Sequence, residues 1–69
     1  MISNYVVSGM TCQHCVNAIS EEVGAIAEVE SVDIDLETGK MVVNCQTEPD
    51  FADVESAVAE AGDYTVVKA

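Results

Sequence analysis

Apolar and polar residues alternate along four short stretches of this chain. The alternation predicts β-strands, because successive side chains of a strand point to opposite faces of a sheet. The four predicted strands cover residues 2–8, 32–36, 41–46 and 64–67. Only a glycine-containing turn separates the second strand from the third, so these two are predicted to pair as a hairpin.

Apolar residues recur at intervals of three and four along two other stretches, which is the spacing of a helix with one buried face. The first helix is predicted over residues 13–25. The second is predicted to open after Pro49, with Asp50 as its N-cap, and to end at Gly62. The buried stripes are expected to contain Val16, Ile19, Val23 and Ile26, and then Phe51, Val54, Val58 and Ala61.

The order strand, helix, strand, strand, helix, strand predicts an α+β fold. Right-handed crossovers arrange this order as a ferredoxin-like βαββαβ domain, with two helices on one face of a four-stranded antiparallel sheet. A chain of 69 residues is expected to form a single domain over residues 1–69. The sheet face without helices is expected to be fairly polar, and to carry Asp33, Asp35, Val42 and Asn44.

Two cysteines, Cys12 and Cys15, lie where the first strand passes into the first helix. The free N–H groups and the positive dipole end of a helix N-terminus stabilise a thiolate, which is the form that binds metal or attacks a disulfide. The spacing therefore predicts two reactive sulfurs close together near the surface. A metal site and a thiol–disulfide exchange site are both open interpretations, since CxxC motifs serve both.

Three further residues have simpler interpretations. Cys45 shares its strand face with Met41 and Val43, and it is expected to be a small buried apolar residue rather than a third ligand. Met10 is expected to anchor the cysteine loop in the core. His14 is expected to be exposed, and the alternatives are tuning of the cysteine pKa or copper ligation in a dimer whose two loops share metal.

The formal net charge is −11, with 13 acidic residues against two basic ones. This balance argues against nucleic acid binding and against anionic membrane surfaces, which both need basic residues. No stretch approaches the roughly 18–20 apolar residues that span a bilayer, so no membrane insertion is expected. No secretory signal is visible, and the chain is expected to be cytoplasmic. The acidic surface is expected to serve solubility, with docking onto a basic partner as the alternative.

The heptapeptide GMTCQHC at residues 9–15 resembles the GMTCxxC motif of the heavy-metal-associated domain family, and the similarity extends over nearly the whole chain. The family includes CopZ-like copper chaperones and the N-terminal domains of copper-transporting P-type ATPases. The resemblance implies that one Cu(I) is bound by Cys12 and Cys15. It also implies that the aromatic residue near the metal loop of bacterial members is Tyr64, although Asp63 interrupts the usual Gly-Tyr pair.

The expected function is therefore a cytoplasmic Cu(I) metallochaperone that hands copper to the metal-binding domain of a copper-transporting P-type ATPase, without catalytic turnover. Two soft thiolates suit Cu(I), whereas zinc prefers four ligands. One alternative is an N-terminal metal-binding domain of a metal-transporting P-type ATPase. Another, from a different class, is a thiol–disulfide redox protein. A copper-dependent homodimer is a further alternative for the metal-bound state.

Overall fold

The computed structural model describes all residues, 1–69, and its helices and strands follow the predicted order. The elements are β1 (Ile2–Ser8), α1 (Gln13–Gly24), β2 (Val29–Ile34), β3 (Lys40–Cys45), α2 (Phe51–Ala61) and β4 (Thr65–Lys68). The strands pair in the order β2-β3-β1-β4, and every pair is antiparallel. The prediction of a ferredoxin-like α+β fold is confirmed.

The core lies between the two helices and one face of the sheet. The sheet contributes the odd-numbered residues of β1 and β3 to it, and the helices contribute their apolar stripes. The largest fully buried side chains include Tyr5, Ile19, Met41, Val43 and Val58. Since burial of one such side chain contributes about 1.5–3 kcal/mol, this cluster is the main source of stability in so small a domain.

The helical stripes are confirmed at their centres and differ from the prediction at their ends. Val54 and Val58 of α2 are fully buried, whereas Ile26 lies beyond α1 and is half-buried. Phe51 is 36% exposed, and its ring stacks on Tyr5 with 6.3 Å between centroids. Phe51 therefore closes the edge of the core instead of filling its centre. Neither helix has the length and apolar content needed to cross a bilayer.

The start of α2 uses a different cap from the one expected. Asp50 occupies the N-cap position as predicted, but its carboxylate makes no capping hydrogen bond. Its backbone carbonyl accepts the N–H groups of Asp53 at 3.0 Å and Val54 at 3.2 Å. The helix therefore begins at the predicted place through its own backbone bonding.

The second strand is displaced from its predicted range of 32–36. The observed strand, Val29–Ile34, starts earlier and has an irregular register near its beginning. Asp35 belongs to the turn instead, because its carboxylate accepts the backbone N–H of Glu37 at 3.0 Å. Leu36 continues the alternation in the sequence but lies in that turn and is 37% exposed. The prediction used only the alternation of apolar and polar residues, so it missed the side-chain hydrogen bond that forms the turn.

The sheet face without helices is less polar than predicted. Asn44 is exposed there, but so are Ile2, at 61%, and Val67, at 55%. Val67 pairs with the half-buried Val6 on the neighbouring strand, so apolar side chains adjoin on this face. The prediction considered the hairpin strands and overlooked the outward positions of β1 and β4.

A polar cluster joins three segments at the end of the sheet where β1 begins. The buried Ser3 hydroxyl donates to the Glu48 carboxylate at 3.2 Å, and Lys68 Nζ donates to the same oxygen at 2.7 Å. The hydrogen bond from Lys68 is the largest of the causes that hold the pKa of Glu48 below its ordinary value. The cluster ties the central strand β1 and the edge strand β4 to the segment that precedes α2.

Candidate metal centre

The loop at residues 9–12 carries the chain from β1 into α1. Gly9 opens it with a φ of 100°, a left-handed conformation that glycine adopts without strain. A Cβ at Gly9 would lie 3.2 Å from the Asp63 carbonyl oxygen, so the loop packs closely against the segment between α2 and β4. Met10 is half-buried and packs against the core, as predicted. The loop is therefore held by contacts on two sides.

Both cysteines of this loop lie at the N-terminus of α1. Cys12 is the N-cap residue, and its carbonyl accepts the backbone N–H groups of Cys15 at 3.1 Å and Val16 at 3.4 Å. The two Sγ atoms lie 3.8 Å apart. Cys12 is exposed and Cys15 is half-buried. One ion can reach both sulfurs, since a metal–thiolate bond is about 2.3 Å long.

The two helices differ in what occupies their positive ends. The first turn of α2 contains an acidic side chain, Asp53, whereas the first turn of α1 contains none. The N-terminus of α1 favours negative charge, and its side-chain candidates for that charge are the two sulfurs. Thiolates there interact with the dipole as carboxylates do in other helices.

The pKa of the Cys15 thiol is lowered from 9.0 to about 6. The largest cause is a hydrogen bond from the Thr11 backbone, followed by bonds from the Tyr64 side chain and the Thr11 hydroxyl. The Thr11 oxygen lies 3.8 Å from the Cys15 sulfur. Because these donors stabilise the thiolate, Cys15 is mostly ionised at neutral pH. The pKa of Tyr64 is raised in turn, chiefly by its hydrogen bond to Cys15.

Tyr64 reaches the cysteines because two glycines leave room for its ring. A Cβ at Gly62 would lie 2.8 Å from the ring, and one at Gly9 would lie 3.5 Å from it. Gly62 also ends α2 with a φ of 155°. The aromatic side chain therefore faces the thiol loop.

Thr11 is a site residue that the sequence analysis missed. Its hydroxyl lies one helical turn before Cys15, an i, i+4 relation that the sequence already contains. That spacing was the available signal, but it required knowing that Thr11 lies close enough to the helix to face its first turn.

The other candidate residues lie outside the thiol pair. Cys45 is fully buried, as predicted, and its thiol donates to the Met1 carbonyl at 3.6 Å. His14 is exposed, as predicted. Nowhere in the protein do three His, Cys, Asp or Glu side chains come together in an arrangement that could hold a metal ion. The candidate centre therefore consists of two thiols with Thr11 and Tyr64 beside them.

The sequence profile of the heavy-metal-associated domain matches residues 5–63, which include the thiol loop, both helices and the segment leading to Tyr64. This chain belongs to the heavy-metal-associated domain family. The resemblance implied by the heptapeptide is confirmed.

Named relatives of this heavy-metal-associated domain include a small protein and a long transporter. Copper chaperone CopZ of Bacillus subtilis is 38% identical over 63 residues, which cover 90% of each chain. Copper-transporting ATPase 2 of Rhizobium meliloti is 33% identical over 60 residues, which cover 87% of this chain and 7% of the ATPase. Domains of this similarity therefore occur alone and as small parts of transporters.

Solved structures share the whole fold of this heavy-metal-associated domain. A CopZ metallochaperone superposes with a TM-score of 0.86 and 28% identity, covering 97% of this chain and 100% of that one. The N-terminal domain of ZntA in its Zn(II) form superposes with a TM-score of 0.83 and 31% identity, covering 97% and 89%. Since one of these neighbours was solved with zinc, the fold alone does not decide the metal.

Proposed function

We propose that this protein is a Cu(I) carrier that binds one ion between Cys12 and Cys15 and transfers it to the metal-binding domain of a copper-transporting P-type ATPase. The thiol pair carries the proposal: two accessible sulfurs lie 3.8 Å apart at a helix N-terminus, and the pKa of one is about 6. The 38% identity to a copper chaperone supports it. The carrier has no catalytic turnover, and it works in the cytoplasm, where thiols stay reduced.

The ligand set favours a soft monovalent ion. Thiolates select Cu(I), which is satisfied by few ligands, whereas Zn²⁺ is held by four in structural sites. No third His, Cys, Asp or Glu joins the pair. Zinc would therefore need ligands from buffer or from another molecule, and Cu(I) would not.

Accessibility of the sulfurs suits transfer. Cys12 is exposed, so a thiolate of the acceptor can add to the bound ion from solvent before Cys12 leaves. The ion keeps at least two sulfur ligands throughout and its oxidation state does not change. A domain of the same family is the natural acceptor, because the Rhizobium meliloti ATPase contains a region 33% identical to this chain. If this chain were itself part of a transporter, the same chemistry would run with the roles exchanged.

A second candidate function is thiol–disulfide exchange. The lowered pKa of Cys15 makes it a good nucleophile at neutral pH. The sulfurs, 3.8 Å apart, would have to approach to about 2.05 Å to form a disulfide. This function would need the pair to cycle between dithiol and disulfide, whereas the carrier needs a pair that stays reduced.

The deciding experiment is an anaerobic titration of the reduced protein with Cu(I) against a competing chelator, with Zn(II) run in parallel. Retention of one Cu(I) per chain, with weaker retention of Zn(II), is the expected result. Loss of Cu(I) to the chelator would contradict the carrier and turn attention to the reduction potential of Cys12 and Cys15. The molecular mass at full loading distinguishes a monomer from a homodimer that shares copper between two loops.

A further inference from the structure

Charge is divided between the two layers of this molecule. Both basic residues lie on the sheet: Lys40 opens β3, and Lys68 ends β4, where it is paired with Glu48. Residues 1–39 and 41–67 contain no lysine or arginine. The helix layer therefore presents only acidic and uncharged side chains, apart from the single histidine.

A groove of about 430 Å³ opens on this acidic layer, between the end of α1, the segment that follows it, and α2. Its floor includes the half-buried Ile26 and the buried Ala57. Its rim carries four carboxylates, which belong to Glu22, Glu28, Asp53 and Glu60. None of the four has a cationic partner, since the one ion pair of the protein is Lys68 with Glu48.

The groove is separate from the thiol loop. Neither Tyr64 nor any of residues 9–15 lines it. Glu22 lies about two turns beyond Cys15, which is about 10 Å along the helix axis. An occupant of the groove can therefore leave the two sulfurs uncovered.

We propose that this groove is a docking surface for a basic segment of a partner protein, one that carries several Lys or Arg residues around an apolar side chain. The apolar side chain would cover Ile26 and Ala57, and the flanking cations would meet the rim carboxylates. A second copy of this chain is a poor occupant, because both molecules carry a net charge of −11. A bare metal ion is a poor occupant too, since no three of the carboxylates converge. Binding at this surface requires no metal, so the inference stands apart from the proposed function.

The test uses the full chain, labelled with ¹⁵N, and a synthetic amphipathic peptide with Lys on one face and Leu on the other. Titration at low ionic strength should shift the amide signals of Ala25, Ala27 and Ala57 and leave those of Cys12 and Cys15 in place. The affinity should fall on raising the salt to 0.15 M, where the Debye length is about 8 Å. Shifts centred on the thiol loop, or no binding at low salt, would overturn the proposal.

Two double variants, each of which removes two negative charges, test whether the peptide binds this groove or is attracted only by the net charge of the protein. Glu22→Gln with Glu60→Gln removes two rim charges, and Asp33→Asn with Glu37→Gln removes two charges from the hairpin. The rim variant should bind the peptide about threefold to tenfold more weakly, as expected for two partly exposed ion pairs, and the hairpin variant should bind as the parent does. If both variants bound the peptide equally weakly, the peptide would be attracted by net charge alone, and the proposed docking surface would be wrong. Both variants should bind Cu(I) as the parent does. A negative result for the docking surface can therefore be distinguished from a negative result for the proposed Cu(I) carrier.

Discussion

The thiol loop and the interior of the sheet each hold cysteine, and they make opposite use of it. Cys12 and Cys15 lie at a helix N-terminus, where both are accessible and Thr11 and Tyr64 donate to one of the sulfurs. Cys45 points from β3 into the core with none of its surface exposed, and its thiol donates to the backbone carbonyls of Met1 and Val43.

The difference teaches that surroundings, rather than residue type, decide what a thiol does here. Ionisation needs donors to the sulfur and access to water, and the loop supplies both. An apolar interior penalises the charged form, so a buried thiol acts as a small apolar side chain. Substitutions and labelling can therefore separate binding from packing cleanly.

The largest expected effect is that substitution of the loop cysteines, and not of Cys45, abolishes metal binding. Cys12→Ser or Cys15→Ser leaves a single thiolate, and each should abolish retention of Cu(I) against a chelator. Cys45→Val should retain one Cu(I) per chain, because the buried sulfur takes no part in the site. Chelator competition on the three purified variants measures this. Copper loss from Cys45→Val as complete as from the loop variants would refute the separation of roles.

The next effect is a difference in reactivity with pH. Because the pKa of Cys15 is about 6, alkylation of Cys15 by iodoacetamide in the metal-free protein should rise through pH 6 and level off above neutral pH. Cys45 should react about a thousandfold or more slowly, since it must wait for the fold to open. Mass spectrometry of timed samples gives both rates. Rapid alkylation of Cys45 in the native protein would contradict the contrast between the reactive loop thiols and the buried thiol.

The same pKa shift sets the sign of a stability change in the metal-free protein. The folded state lowers the pKa of Cys15 from 9.0 to about 6. Its contribution to folding is therefore complete above pH 9 and is lost as the pH falls towards 6. Denaturant unfolding at several pH values should show this loss in the parent, and Cys15→Ser should lack it.

A moderate effect is expected on stability from the buried cysteine. Cys45→Ser places a hydroxyl where apolar side chains surround it, and it should lower the free energy of unfolding by about 1–3 kcal/mol. Cys45→Val keeps the apolar character at nearly the same size and should cost less than about 1.5 kcal/mol. Urea unfolding compares them. A serine variant as stable as the valine variant would mean that the site is wetter than its burial indicates.

The smallest effect concerns Tyr64. Tyr64→Phe removes one hydrogen bond to the Cys15 sulfur, so the pKa of Cys15 should rise and the alkylation profile should move to higher pH. Tyr5→Phe makes the same chemical change in the core and should leave that profile unchanged. An unshifted profile for Tyr64→Phe would contradict a contribution of Tyr64 and would mean that the lowered pKa of Cys15 depends on Thr11 without it.

Much of the fold is predictable from local patterns. The buried stripes of both helices and the alternation of Tyr5, Val7, Met41 and Val43 follow directly from helix and strand periods. The end of the second strand was predicted wrongly because the side chain of Asp35 forms a local turn that competes with the strand. The alternation of apolar and polar residues carries no information about such hydrogen bonds.

The candidate site was only partly predictable. The CxxC spacing predicts that the two sulfurs are neighbours, because both belong to one helix start. The contribution of Tyr64 depends on packing between segments far apart in the chain, where Gly9 and Gly62 leave space for its ring. No spacing in the sequence expresses that contact, and only the family resemblance indicated it.

The pairing of β1 with β4 also determines how this domain can be joined to other things. Tyr5 lies opposite Lys68, and the Ala69 N–H donates to the Asn4 carbonyl at 3.1 Å, so both chain ends lie at the side of the sheet remote from Cys12. A linker, an affinity tag or a neighbouring domain fused at either end would leave from that side. In a series of tandem copies, the thiol loop of each copy would therefore stay accessible. For the same reason the chain could be joined to other domains or immobilised at either end without blocking Cys12 and Cys15.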